Sequence, residues 1–181
     1  MISFKSKVTE KILDYYFINK DASRYINELA KILGLDPKNA DRKLKELEKE
    51  GLLTSEFKGK QRYFSLNKKY PLMKSYRRIF LKTFGLEQKL RQIVSDIPRI
   101  KEAYIFGSYA KDKMDAQSDM DILAVGGHSV MQLQKKISAL QKSLGREINV
   151  VNLSPQEFLR KKKAKDPFIA NVFAGPHIKL L

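Results

Sequence analysis

Apolar positions in the first third of the chain recur at helical spacing. Val8 to Ile18, Arg24 to Leu33 and Pro37 to Glu50 each carry an apolar stripe along one face, which predicts three helices. Asp36 is placed to cap the third, with Pro37 at its first helical position, and Gly34 and Gly51 end the second and third. The period then changes. Thr54 to Phe57 and Arg62 to Leu66 read as two short strands joined through Lys58-Gly59-Lys60, a basic hairpin turn. Pro71 opens another apolar-periodic stretch through Tyr76, Ile79, Phe80 and Phe84, which Gly85 interrupts and Leu86, Leu90, Ile93, Val94 and Ile97 continue to Pro98. Two helices are expected there, with an apolar surplus that either closes the neighbouring cores or pairs two protomers.

Beyond Pro98 the pattern alternates between strands and helices. Ala103 to Phe106 is a short apolar run of the kind that makes a buried strand, and a second such strand contains Asp119 and Asp121 and runs through Ile122 to Val125. Gly126-Gly127 turns the chain, Val130 to Leu144 reads as a helix, Glu147 to Leu153 as a third strand and Pro155 to Lys163 as another helix. Candidate chemistry gathers on the first two strands. Gly107 and Ser108 offer backbone N–H groups and a hydroxyl at a helix start, where an anion is stabilised. Asp119 and Asp121 are two apart in a strand, so both carboxylates point to one face, as two oxygen ligands for Mg²⁺ should.

Ser108 is followed by ten residues and then Asp119-Met120-Asp121. This stretch resembles the nucleotidyltransferase superfamily of polymerase-beta-like enzymes, in particular its minimal members, whose signature is an apolar strand, Gly-Ser, about ten residues, and Asp-x-Asp in an apolar strand. The resemblance implies a triphosphate held at Gly107 and Ser108, with Mg²⁺ on Asp119 and Asp121. Members of the superfamily mostly carry a third carboxylate on a later strand, and the position that aligns with it here is Asn149. An amide cannot accept a proton as a carboxylate does, and it brings no negative charge to offset a second metal. Glu147 lies on the same strand face, but two residues span roughly 6.6 Å along a strand, which makes it a poor substitute. Relatives also often have Gly four residues after the Ser, where this chain has Asp112. Short transferases that serve as antitoxins share the Gly-Ser to Asp-x-Asp spacing and would predict a protein partner.

The order of elements over roughly residues 6 to 68, with Ile26 to Leu35 before Leu44 to Leu53, resembles the winged helix-turn-helix of bacterial and archaeal transcription regulators. On a helical wheel Ala40, Leu44 and Leu47 fall in one sector, and Lys38, Arg42, Lys45 and Lys49 fall opposite. A recognition helix needs this arrangement, because one face holds it on the domain while the other enters the major groove among phosphates. An alternative reading is a solvated charged face satisfied by i,i+4 pairs such as Arg42 to Glu46. The basic hairpin residues Lys58, Lys60 and Arg62 favour double-stranded DNA, contacted mainly at phosphate. Winged-helix regulators commonly act as dimers on two half-sites, which is the expectation for a homodimer here.

Composition sharpens this picture. The 181 residues carry a net charge of +16, and a surplus this large for the size points to a polyanionic partner. Residues 1–84 contribute +10 of it and residues 85–181 only +6, so the surplus is concentrated in the front half. There is no cysteine, which excludes disulfides and thiolate metal sites. No run of 18 apolar residues and no apolar leader is present, so a cytoplasmic protein with no membrane partner is expected. The expected fold class is two-domain, α+β followed by α/β. A winged helix-turn-helix spans 1–69, a helical linker 70–98, and a nucleotidyltransferase-like domain 99–181, with a small mixed sheet flanked by helices. The expected function is DNA-binding regulation with a nucleotide-binding second domain. The alternative is an active Mg²⁺-dependent transferase that moves a nucleoside monophosphate from a triphosphate to a hydroxyl.

Overall fold

A computed structural model describes residues 6–114 and 118–181 of the chain. The extreme N-terminal residues 1–5, and Asp115 to Gln117 between the Gly-Ser turn and the Asp-x-Asp pair, lie outside the described residues. The chain divides into two compact units. The first comprises residues 1–88 with 142–145, and the second residues 89–141 with 146–181.

In the first unit α1 (Lys7–Ile18) begins at Ser6, whose side chain accepts from Thr9 N, and buries Ile12, Leu13, Tyr16, Phe17 and Ile18. α2 (Ile26–Leu33) ends at Gly34 in the left-handed region, φ 57°, where a side chain would be strained. α3 (Pro37–Lys49) starts as its cap residue dictates, Asp36 accepting from Asn39 N with Pro37 in the first turn. A hairpin of β2 (Leu53–Lys58) and β3 (Gln61–Leu66) follows, and α4 (Met73–Thr83) closes the unit. One expectation needs correction. The second helix does not start at Arg24, because Ser23–Tyr25 form a strand, β1, that pairs antiparallel with β3 and makes a three-stranded sheet of order β1-β3-β2. Pairing Tyr25 against Tyr63, with ring centroids 5.7 Å apart, outweighs one more helical turn. The Tyr16 hydroxyl donates to Phe64 O at 2.9 Å, tying α1 to that sheet, and Phe17 packs edge-on against Phe80 of α4.

α5 (Leu86–Ser95) contains the division between the units. The second unit holds β4 (Ile100–Phe106), the single turn α6 (Gly107–Ala110), β5 (Met120–Gly126), α7 (Val130–Leu144) up to Gln141, β6 (Ile148–Leu153), α8 (Pro155–Lys163), α9 (Pro167–Ala174) and β7 (Ile178–Lys179). Its sheet is mixed, of order β6-β5-β4-β7, with β5 and β6 parallel and the other pairings antiparallel. Side chains alternate across it. Tyr104, Leu123 and Val125 form one core face with Phe158 of α8 and Ile169 and Val172 of α9, while Ala103, Ile105, Met120, Ile122 and Ala124 are buried on the other. Strand parity therefore leaves Phe106, Asp121 and Asn149 at the end of the first face, in line with Tyr104, Leu123 and Val151. Among the described residues, no helix is long and apolar enough to cross a membrane.

Candidate functional site

Where β4 ends, the chain turns sharply into α6. Gly107 sits at φ 73°, and a side-chain carbon there would drive into Asp121 Oδ2, so glycine is required both by conformation and by space. The Ser108 hydroxyl donates to Asp119 O at 3.3 Å, which ties the turn to the residue that precedes β5. Asp112 occupies the left-handed region, φ 51°. Aspartate is one of the few residues that visits it, which accounts for a carboxylate at this turn.

Asp119 and Asp121 are both half-exposed and flank the fully buried Met120, so the two carboxylates share a face as strand alternation requires. Asp119 stands one residue before β5, not inside it. Asn149 lies opposite Asp121 in the parallel β5–β6 register. Its Nδ2 donates to Asp119 Oδ2 at 3.3 Å, and the same side chain hydrogen-bonds Asp121. Burial is the main cause that holds the Asp121 carboxyl above the usual carboxylate range. The Asn149 hydrogen bond opposes it, and the charge of Asp119 adds to it. Glu147 precedes β6 and is exposed, its carbonyl accepting from Met120 N at 3.1 Å. Among the described residues no hydrogen bond or ion pair joins its carboxylate to the aspartate pair.

Two contributors escaped the sequence reading. Arg146 is buried and donates from Nη1 to Ser118 O at 2.9 Å, fixing the approach to Asp119. Phe106, opposite Asp121 in the β4–β5 register, packs edge-on against Phe168 at 5.7 Å between centroids and gives the site an aromatic wall. Neither carries a motif, since one arginine or phenylalanine among many has no spacing to betray it.

Among the described residues no group of three or more acidic or histidine side chains could hold a metal by itself. Two half-exposed carboxylates nevertheless suit Mg²⁺, which is commonly bound through one or two carboxylates with substrate phosphates and water completing its shell. The proton affinity that burial and mutual repulsion raise at Asp121 is what a cation beside the pair would relieve.

In the first unit the basic stripe is laid out as the wheel predicts. Lys38, Arg42, Lys45 and Lys49 are exposed along α3 opposite the buried Ala40, Leu44 and Leu47. Within the stripe, Arg42 pairs with Glu46 at 3.3 Å and Lys45 with Asp41 at 2.8 Å, both i,i+4. At the hairpin Lys58 pairs with Glu56 at 2.8 Å. Among the described residues no ion pair engages Lys38, Lys49 or Lys60. Arg62 differs from the rest. Its Nη2 meets Glu48 Oε2 of α3 at 2.6 Å, its Nε donates to Ser55 Oγ at 2.9 Å, and its guanidinium lies over the rings of Phe57 and Phe64. It is a strut between hairpin and helix.

Residues 87–171 match the family described as Nucleotidyltransferase domain. Solved structures similar to the chain include a toxin-antitoxin with AMP-PNP, at 18% identity over 52% of this chain and 72% of that one, with a TM-score of 0.39. MepR, a transcription regulator of the Staphylococcus aureus multidrug efflux pump MepA, is similar at 19% identity over 48% of this chain and 64% of its own, TM-score 0.37. Reduced HlyU from Vibrio cholerae N16961 is similar at 16% identity over 44% and 78%, TM-score 0.36. No curated protein matches the chain.

Proposed function

We propose that this chain is a DNA-binding regulator, with a winged helix-turn-helix over residues 1–69 joined by the helices of 70–98 to a nucleotidyltransferase-like domain over 99–181. The second domain binds a nucleoside triphosphate with Mg²⁺ but is poorly equipped to transfer from it. Gly107 and Ser108 take phosphate oxygens, and Asp119 and Asp121 hold the metal, which supplies charge neutralisation of the triphosphate when bound. The observation that carries this reading is Asn149, whose amide hydrogen-bonds both aspartates from the neighbouring strand. A donor beside the pair orients the two carboxylates. It cannot deprotonate an attacking hydroxyl, and it adds no negative charge for a second metal.

In the first domain the exposed stripe on α3 and the hairpin lysines support duplex DNA as the partner, with Lys38, Lys49 and Lys60 free of competing ion pairs among the described residues. Arg42 and Lys45 reach phosphate only by leaving Glu46 and Asp41.

A second reading, a working transferase, has one observation on its side. The raised proton affinity of Asp121 makes it a readier proton acceptor than an exposed aspartate. Calorimetric titration of each nucleoside triphosphate with Mg²⁺, followed by assay of released pyrophosphate, separates the two. Binding without pyrophosphate is the expected result. Binding with turnover establishes the enzyme, and no binding removes the nucleotide site altogether.

A further inference from the structure

Phe57 departs from the burial of its own row. Directly opposed residues of the hairpin share a face, so Leu53 and Leu66, Ser55 and Phe64, and Phe57 and Arg62 form successive pairs on the side that carries the core. Leu53, Phe64 and Leu66 are buried, whereas Phe57, at the outer end of the same row, is 72% exposed. It walls an open groove of about 390 Å³ with Asn27, Lys38, Asp41, Lys60 and Arg62. Arg62 backs the ring, its guanidinium carbon 5.7 Å from the centroid, and is itself pinned by Glu48, so the aromatic surface is held in place. The one carboxylate of the groove, Asp41, is taken by Lys45 at 2.8 Å. That leaves Lys38 and Lys60 as a cationic rim around an open aromatic face.

The chemistry that fits is a flat π system joined to phosphate. An apolar peptide would bury Lys38 and Lys60 without partners, and a second copy of the chain would set the same cations against each other. We propose that Phe57 stacks on an unpaired nucleobase while Lys38 and Lys60 hold the flanking phosphates, so that the protein prefers a duplex with an opened base over a fully paired one. This rests on the reading that the first domain binds nucleic acid. It adds a base-contacting residue to a surface otherwise suited only to phosphate.

The test compares a fully paired duplex with the same duplex carrying a three-nucleotide bubble, by anisotropy at about 50 mM salt, where phosphate contacts are strong. The full-length protein should bind the bubble about tenfold more tightly, the scale of one stacked base. Phe57→Ala should abolish that preference and leave the paired duplex unaffected, while Phe57→Tyr keeps it. Because the chain has no tryptophan, Phe57→Trp adds a single reporter whose emission the stacked base should quench. Equal affinity for the two duplexes, or a preference that survives Phe57→Ala, overturns the proposal. Binding to neither duplex overturns the nucleic-acid reading beneath it.

Discussion

Asn149 stands opposite Asp121 in the β5–β6 register and donates to Asp119 Oδ2 at 3.3 Å, so one amide bridges the two carboxylates of the second unit. Asn149→Asp replaces that donor with a third negative charge on the same face. In the metal-free protein the second unit should then lose on the order of 1 kcal/mol at neutral pH, about 4–8 °C in its unfolding transition. Mg²⁺ should recover the loss. If the amide is what limits transfer, pyrophosphate release should rise in this variant, and an unchanged rate would place the limitation elsewhere.

The raised Asp121 carboxyl makes a prediction of opposite sign to that of a salt-bridged aspartate. Its folded pKa lies above its unfolded one, so its contribution to stability is present below the unfolded value and is lost as pH rises through the folded value. At pH 7 the ionised group therefore burdens the fold. Asp121→Asn should melt higher than wild type at pH 7, and the difference should fade as pH falls into the carboxylate range. The same variant should lose Mg²⁺-dependent nucleotide binding. Melting curves that differ equally at all pH values would remove the electrostatic explanation.

Gly107 serves two purposes that a cycle of variants can separate. Gly107→Ala strains a backbone held at φ 73° and presses a methyl group into Asp121 Oδ2, for a combined cost of about 2–4 kcal/mol in denaturant unfolding. Adding Asp121→Ala removes the obstruction but not the strain. The double variant should thus recover part of the loss, and strict additivity would show that the contact costs nothing.

Local signals were legible in the sequence, and pairings across the fold were not. Asp36 and Pro37 announce α3 because capping is decided within one turn, and the Gly-Ser to Asp-x-Asp spacing announces the site because the turn and strand lie close in the chain. β1 and β7 have three and two residues, too few for any period, and exist only because β3 and β4 offer free edges to Tyr25 and Ile178. The role of Arg146 is set by a carbonyl 28 residues earlier in the chain. The charge of Arg62 could be read, but its partner Glu48, 14 residues away, could not.

That difference between charge and partner separates Arg62 from Lys60, although both were expected to contact DNA. Arg62 and Glu48 are about three-quarters buried and joined at 2.6 Å, with Ser55 bonded to both. Arg62→Ala leaves Glu48 partly desolvated without its cation and unbacks the hairpin, so it should cost about 1–3 kcal/mol of stability in the first unit. Lys60 is exposed with no ion pair among the described residues, and Lys60→Ala should leave stability within about 0.5 kcal/mol of wild type. On duplex DNA the order reverses. Lys60→Ala should reduce the slope of log affinity against log salt by about one, the share of a single phosphate contact, because it removes a cation free to meet the backbone. Arg62→Ala should leave the slope nearly unchanged under conditions where the domain stays folded, since its charge is already spent on Glu48. A full unit lost from the slope in Arg62→Ala would mean that the pair opens on DNA and the strut is also a contact.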